Sequence, residues 1–170
     1  MFQKSTFFMR AIIILLGLAV FAPSVLLFPR AFIMFKGAVE EIGAQSTEVM
    51  FFGIYLVLFI AIYVALVPFF TALYQTLKLL DNIDKKETFS EKSTKALKII
   101  RNCAIAIFAI YLVGIMPMVV YFARFSEAPE TIIIWAAFSL VPLAIAVFAS
   151  MLRNLIQEAI YIKSENDLTI

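Results

Sequence analysis

The segment DNIDKKETFSEKSTK, residues 81–95, carries the densest charge in a chain that is otherwise strongly apolar. Of the 170 residues, 64% are hydrophobic and 15% are charged, and the mean hydropathy is +1.00. A soluble domain covers its surface with polar groups, and this composition does not supply enough of them. The charged segment is therefore expected to lie in water, between stretches that lie in lipid.

Four uncharged stretches are long enough to cross a bilayer. The hydrocarbon core is about 30 Å thick, so a helix that rises 1.5 Å per residue needs roughly 20 apolar residues. Backbone amides in hydrocarbon must be hydrogen-bonded within the segment, which favours helices. We predict an all-α, integral membrane four-helix bundle in a single domain, 1–170. The predicted parts are spans at 11–28, 49–77, 102–123 and 131–152, a loop at 78–101 and a tail at 153–170.

The first span also has features of a signal peptide, since Lys4 and Arg10 precede a compact apolar segment. However, Pro23 follows Val20-Phe21-Ala22 directly, and no A-x-A cleavage site comes after it. Proline at this place disfavours cleavage, so we expect the helix to be retained.

The cations are distributed unevenly between the two ends of the spans. Eleven of the fourteen Lys and Arg residues lie before the first span, in the 78–101 loop or after the fourth span. The other three, Arg30, Lys36 and Arg124, lie at the opposite ends. Segments rich in Lys and Arg stay in the cytoplasm, so we expect both termini and the 78–101 loop to be cytoplasmic.

Helical periodicity continues past the second and fourth spans. Beyond Gln75 the second helix keeps its period, with Leu73, Leu77, Leu80 and Asp84 on one stripe and Ile83 beside it, which predicts two to three further turns. An apolar face also follows the fourth span to about Lys163. These extensions are predicted to pack together in a small cytoplasmic cap; the alternative is that they lie flat on the lipid headgroups. The predicted stripe after the fourth span is Leu152, Leu155, Ile156, Ala159 and Ile162.

The start of the third helix is signalled within the charged segment. Thr88 with Glu91 fits a capping box, and Ser90 is an alternative N-cap. Phe89 stands alone among charged residues, where an exposed aromatic ring is unfavourable. We therefore expect Phe89 to pack the loop onto the cytoplasmic cap.

On the opposite side of the membrane, residues 30–48 place apolar residues at helical spacing. This pattern predicts a short helix in the outer interface, and an ordinary loop is the alternative. The second outer connection, RFSEAPE at 124–130, is expected to be a tight polar turn.

Each span also contains a proline, whose ring removes a backbone donor and crowds the preceding turn. We expect a kink or one relaxed turn at each of them. These residues are Pro23, Pro68, Pro117 and Pro142.

Two segments resemble the YoaS-like proteins, which are small bacterial four-span membrane proteins of unknown function. They are ETFSEKSTKALKIIRN at 87–102 and LIQEAIYIKSENDLTI at 155–170. The family has a Gly-x-Pro-Phe-Ser turn, in which Phe89 and Ser90 match; its glycine and proline are missing, and Glu87 and Thr88 precede Phe89. The family ending E-A-x-x-x-K-x-E-N-D-L-T is matched by Glu158, Ala159, Lys163, Glu165, Asn166, Asp167, Leu168 and Thr169.

The resemblance implies a location in the bacterial cytoplasmic membrane. It also implies frequent genetic association with a small helix-turn-helix regulator. It implies no activity.

Few groups in the chain can carry chemistry. There is no histidine and one cysteine, Cys103, which excludes histidine ligands and CxxC motifs. The spans contain no Asp, Glu, Lys or Arg of the kind that marks ion pathways. Arg10 and Arg101 lie at span ends, where they are expected to snorkel to the headgroups. We therefore expect no enzymatic activity, no cofactor and no metal.

The other polar groups in the spans are mainly hydroxyls. They are expected to hydrogen-bond between helices or to the carbonyl group four residues earlier. Ala61/Ala65 and Ala146/Ser150 are pairs of small residues four positions apart, which would allow close contact between helices.

Two classes of function remain. The first is a regulatory or adaptor protein whose cytoplasmic face binds a soluble protein such as the small helix-turn-helix regulator; the net charge of +2 does not favour direct binding of nucleic acid. The second is a transporter component or a self-protection protein against a membrane-active compound, which needs a cavity between spans or a homo-oligomer. Beyond the lipid bilayer, the sequence names no ligand. The candidate partner-binding or structural face is Phe89, Ser90, Glu158, Asn166, Asp167 and Leu168.

Overall fold

The computed structural model describes residues 2–42, 47–85, 87–125 and 130–168, and the elements in these ranges are all helical. Four helical runs are long and apolar enough to cross a membrane, as judged by length and composition. The predicted all-α fold with four membrane helices is therefore confirmed. The elements are α1 (Phe2–Ile42), α2 (Thr47–Asp84), α3 (Glu91–Ile110), a π-helical turn (Tyr111–Ile115), α4 (Met116–Phe125) and α5 (Glu130–Leu168). The candidate spans are Thr6–Met34, Leu56–Asp84, Glu91–Tyr121 and Glu130–Glu165.

The main packing partners follow the order of the chain: α1 contacts α2, α2 contacts α3, and α3 and α4 contact α5. The first two helices are antiparallel, since Phe21 meets Phe70 edge to face with ring centroids 6.0 Å apart. At the other end of the same pair, Arg10 meets Asp81. The helix formed by α3, the π-helical turn and α4 therefore lies between α2 and α5.

The core follows this middle helix and is built largely from small residues. Small side chains let helix backbones approach closely, which is how helices associate in lipid. Large apolar side chains such as Leu15, Val67 and Phe148 are exposed, as expected for surfaces that contact acyl chains. Buried residues of the middle helix are Ser93, Thr94, Ala96, Leu97, Cys103, Ala104, Ile115, Val119 and Ala123, and those of α5 are Ser139, Ala146 and Ala149.

The middle helix lies close to α2 at Gly114. A Cβ atom added there would lie 3.4 Å from the Cβ of Ala61, one of the small residues predicted to allow close contact. The surrounding turn is π-helical, and the Met116 N–H bonds to the Tyr111 carbonyl. Pro117 follows directly, and its ring crowds the carbonyl four residues earlier, which the wider turn relieves. The predicted relaxed turn is thus confirmed at Pro117.

Three span hydroxyls bond as predicted. Ser24 Oγ donates to the Val20 carbonyl four residues earlier, at 2.6 Å. Tyr63 donates from α2 to the Ser24 carbonyl on α1. Tyr111 donates to the Trp135 carbonyl on α5 at 2.7 Å.

The helices extend past the predicted spans at the end where residues 85–90 connect α2 to α3, here called the turn end. As predicted, α2 continues to Asp84. On α5 the helix continues to Leu168, but the predicted stripe is wrong at Leu155 and Ile162, which are 52% and 54% exposed. The packed face of α5 that includes buried Ala149 continues instead through Ile156 and Ala159, which are half-buried.

On the opposite side, α1 continues without a break to Ile42. The predicted separate helix or loop at 30–48 is therefore wrong for residues 30–42, which extend the first helix. Residues 43–46, and most of the predicted turn at 124–130, lie outside the described residues.

Candidate functional site

An ion-pair cluster joins α1 to α2 at the turn end. Arg10 Nη2 lies 2.6 Å from Asp81 Oδ1 and 2.6 Å from Asp84 Oδ2. The two aspartates are three residues apart and therefore share one face of α2. Arg10 Nε is buried and has no hydrogen-bond partner in the described part of the chain. Antiparallel packing of α1 and α2 thus brings two carboxylates within charge-assisted hydrogen-bond distance of Arg10, the residue predicted to snorkel to the headgroups.

A buried polar network holds the connection between α2 and α3. Ser93 is completely buried, and its Oγ accepts a hydrogen bond from Asn82 Nδ2 at 3.3 Å. The same hydroxyl donates to the Glu87 carbonyl at 3.4 Å, and the Glu87 N–H donates to the Asn82 carbonyl at 2.9 Å. Of the two predicted caps, Ser90 is the N-cap of α3 and accepts from the Ser93 N–H. These bonds fix the turn from both helices.

Phe89 lies on this turn and is 62% exposed. The prediction that it packs the loop onto the cap is wrong. The space beneath the turn is taken by Ser93 and Asn82, whose hydrogen bonds already hold the loop, so the aromatic ring is left facing outward. The turn therefore presents a large apolar side chain from a fixed backbone.

A cavity of about 670 Å³ opens beside the same turn. Its size falls within the range of ligand pockets, roughly 300–1,000 Å³. Cations outnumber anions in its wall, and Asp81, its one carboxylate, is paired with Arg10. The lining residues are Tyr74, Leu77, Lys78, Asp81, Asn82, Lys85 and Lys92.

Two residues of the predicted partner-binding face, Ser90 and Glu158, lie at the same end of the bundle. Tyr111 stacks on Trp135, with ring centroids 6.2 Å apart, which fixes the register of α3 and α5. Ser90 lies about 20 residues before Tyr111, and Glu158 lies about 20 residues after Trp135. Ser90 and Glu158 therefore each lie roughly 30 Å along their helices from the Tyr111–Trp135 contact, at the turn end. Glu158 is exposed there. The predicted residues Asn166, Asp167 and Leu168 end α5, and their side chains lie outside the described part of the structure.

Sequence reasoning missed the ion-pair cluster and the convergence of three lysines on one cavity. A signal for the cluster was present, because Arg10 ends one span and Asp81 and Asp84 follow the next, three residues apart. Antiparallel neighbours place these positions at the same level. No comparable signal reveals the bond between Asn82 and Ser93, since both are polar residues in a polar segment.

The turn end carries cationic and aromatic side chains of the kind that bind anions or proteins. Among the described residues, no group of three or more His, Cys, Asp or Glu side chains is placed to hold a metal ion. The single thiol, Cys103, is buried in α3. What remains is a cationic cavity next to an exposed aromatic side chain.

Comparison with known proteins identifies the family of the chain. A family model described as "Protein of unknown function (DUF2975)" matches residues 43–170. The chain is also 39% identical over 168 residues to the "Uncharacterized membrane protein YoaS" of Bacillus subtilis (strain 168), and the match covers 99% of both chains. No solved structure matches. The predicted resemblance is thereby confirmed: the chain is a relative of the membrane protein YoaS and belongs to the DUF2975 family.

Proposed function

We propose that the protein is a membrane-anchored regulatory or adaptor protein that binds a soluble protein through the turn end of the bundle. The observation that carries the proposal is Phe89, which is 62% exposed on a backbone held by the network of Asn82, Ser90 and Ser93. Exposed aromatic residues on rigid backbone are typical anchors of protein interfaces, since little conformational entropy is lost on binding.

The alternative for Phe89 is insertion into the bilayer. The height of the turn above the end of the predicted span argues against insertion. From Leu77, the predicted end of the span, α2 continues for two turns to Asp84, a rise of about 10 Å. The headgroup layer on each side of a bilayer is roughly 5–8 Å thick. An upright α2 therefore holds Phe89 at or beyond the outer edge of the headgroups, where a soluble protein can reach it.

The proposal places the turn end in the cytoplasm, together with both termini. The support is the distribution of Lys and Arg, of which eleven lie at this end and three at the other. An enzymatic reporter inserted after Lys86 is expected to be active only inside the cell. Activity on the exterior would overturn the orientation and, with it, access for a cytoplasmic partner.

The first candidate partner is the small helix-turn-helix regulator that the family resemblance implies as a genetic neighbour. The direct test is binding of that purified regulator to the full chain in nanodiscs. Phe89→Ala is expected to weaken binding on the order of 30-fold, the effect of losing an interface hot spot.

Tyr161→Ala is the matched control, because Tyr161 is an aromatic residue of α5 with the same 62% exposure at the same end of the bundle. Its affinity is expected to stay within about threefold of the wild type. A chain that ends at Lys163 tests the predicted tail residues Asn166, Asp167 and Leu168. Equal affinity of the wild type and Phe89→Ala would remove Phe89 from the interface. Failure of the regulator to bind the wild type would overturn this choice of partner.

The second function, a transporter component or self-protection protein, needs a cavity among the spans. The 670 Å³ cavity described here lies at the turn end of α2, with three lysines in its wall. This cavity supports binding at the membrane surface.

A further inference from the structure

We propose that the cavity at the turn end of α2 binds the phosphate headgroup of an anionic membrane lipid. Here this cavity is called the lysine pocket, and it is defined by Tyr74, Leu77, Lys78, Asp81, Asn82, Lys85 and Lys92. The proposal is independent of the partner protein and of Phe89, which does not line the pocket.

The charges in the pocket select an anion. Lys78 lies on α2, and Lys85 directly follows its last residue with its N–H still bonded to the Asp81 carbonyl; Lys92 enters from the start of α3. Neither Lys78 nor Lys85 has a carboxylate partner among the residues described. Asp81 is paired with Arg10, which also pairs with Asp84, so its charge is only partly compensated from α1 and is outnumbered by the three lysines of the wall.

Lys92 is the less available of the three lysines. Its Nζ lies 3.2 Å from Glu87 Oε2, and both side chains are about half exposed or more. An ion pair this exposed contributes little and exchanges readily with another anion. The pocket therefore has two uncompensated ammonium groups and a third that can be recruited.

Two other lining residues, Asn82 and Tyr74, also carry hydrogen-bond donors, and they lie at different places in the pocket. The Asn82 side chain is buried, and its amide donates to Ser93, so it forms the floor of the pocket and holds α3 in place. Tyr74 is 64% exposed at the opposite end and presents a hydroxyl and a ring. The lysine ammonium groups thus lie toward one end of the pocket, and the apolar surface of Tyr74 and Leu77 lies toward the other.

The order of the lining residues along α2 distinguishes a lipid from a free phosphate. Tyr74 and Leu77 lie inside the predicted span, Lys78 follows directly, and Lys85 lies about 10 Å further from the membrane. A lipid uses both parts, with acyl chains against Tyr74 and Leu77 and the phosphate among the lysines. Inorganic phosphate would use only the lysines, which are exposed to water. Tyrosine and lysine at this depth are also the residues that membrane interfaces favour.

The test uses the full chain purified in a non-ionic detergent and native mass spectrometry with added phosphatidylglycerol. A basic side chain near an anionic lipid changes the affinity about fivefold. The double variant Lys78→Gln/Lys85→Gln is therefore expected to bind phosphatidylglycerol roughly 25-fold more weakly than the wild type. Phosphatidylcholine with the same acyl chains, which carries no net charge, is expected to bind the wild type about as weakly as the double variant binds phosphatidylglycerol.

Lys95→Gln/Lys98→Gln is the matched control, because it removes the same charge from exposed positions of α3 that do not line the pocket. It is expected to stay within about twofold of the wild type. Equal losses in the two double variants would overturn the assignment of a specific pocket.

Inorganic phosphate distinguishes the two sources of the anion. It is expected to leave bound phosphatidylglycerol in place when both are present at equal concentration. Displacement of phosphatidylglycerol under that condition would overturn the lipid assignment, since the apolar end of the pocket would then contribute nothing.

Discussion

Replacement of Arg10 tests whether its ion pairs hold α1 against α2. Arg10→Met keeps most of the apolar stem and removes the guanidinium group from Asp81 and Asp84. The side chains of these three residues are 37%, 51% and 28% exposed, so the pairs are neither fully solvated nor fully buried. Exposed ion pairs contribute about 0.2–1 kcal/mol each, and breaking a fully buried pair costs about 3–5 kcal/mol.

Two partly exposed pairs therefore place the expected loss at about 2 kcal/mol. Part of this loss comes from the two carboxylates left facing each other without a counterion. For a chain of this size, 1 kcal/mol shifts Tm by about 2–4 °C, so Tm should fall by about 4–8 °C. The measurement is the fraction of detergent-solubilised protein that stays monodisperse after heating, determined by size-exclusion chromatography.

Lys36→Met is the matched control. Lys36 Nζ lies 3.8 Å from Glu40 Oε1, and both side chains are about 70% exposed, so the expected change is below about 0.5 kcal/mol. A second check is Arg10→Met combined with Asp84→Asn, which removes the repulsion and should recover part of the lost Tm. A Tm change in Arg10→Met no larger than that in Lys36→Met would refute a stabilising role for the cluster.

Three further predictions concern the core. Ser93→Val adds volume at a completely buried position and removes the acceptor of Asn82, so Tm should fall by an amount equivalent to about 2 kcal/mol. Gly114→Ala should be nearly neutral, since the new Cβ would lie 3.4 Å from Ala61, whereas Gly114→Leu should push α2 away and lower Tm. The thiol of Cys103 should react slowly with maleimide in the native protein, because it is 9% exposed, and rapidly after denaturation, as followed by mass spectrometry.

Each of these has a contrasting position or condition. Thr71→Val changes an exposed hydroxyl of α2 and should leave Tm nearly unchanged; a loss equal to that of Ser93→Val would deny the buried network a special role. Gly37→Leu adds a side chain where no atom of the described residues lies within 4 Å, and should be tolerated if crowding decides the result at Gly114. Labelling of native Cys103 as fast as that of denatured protein would contradict the packing of α3.

The four membrane helices and the start of α3 could be predicted because their cause is local. The four apolar stretches are contiguous in sequence, and the thickness of a bilayer sets their length. Likewise, Ser90 precedes Glu91 and a periodic apolar segment, so its role as N-cap follows from neighbours in sequence.

The features missed depend on contacts between distant residues. Arg10 and Asp81 meet only because α1 and α2 are antiparallel in a particular register, and periodicity on either helix alone does not reveal that pair. Phe89 was misplaced for a similar reason. Its expected burial rested on the cost of exposing an aromatic ring, whereas Ser93 and Asn82 hold the loop from two helices without it.

Asp81 connects the stability of the hairpin to the proposed lipid site, since it pairs with Arg10 and also lines the lysine pocket. When Arg10 is removed, the charge of Asp81 is uncompensated and opposes a bound anion, which should raise the Kd for phosphatidylglycerol about fivefold. Lipid binding and the packing of α1 on α2 therefore strengthen each other, because coupling between two equilibria is reciprocal.

A lipid present at 100 times its Kd stabilises the folded state by about 2.7 kcal/mol. A fivefold weaker site at the same concentration loses about 1 kcal/mol of this, so phosphatidylglycerol should raise the Tm of Arg10→Met by about 2–4 °C less than that of the wild type. In Lys36→Met the rise should equal that of the wild type, since Lys36 lies far from the pocket on α1. An equal rise in all three proteins would show that Arg10 does not influence the pocket, and the compensation of Asp81 would then play no part in the choice of ligand.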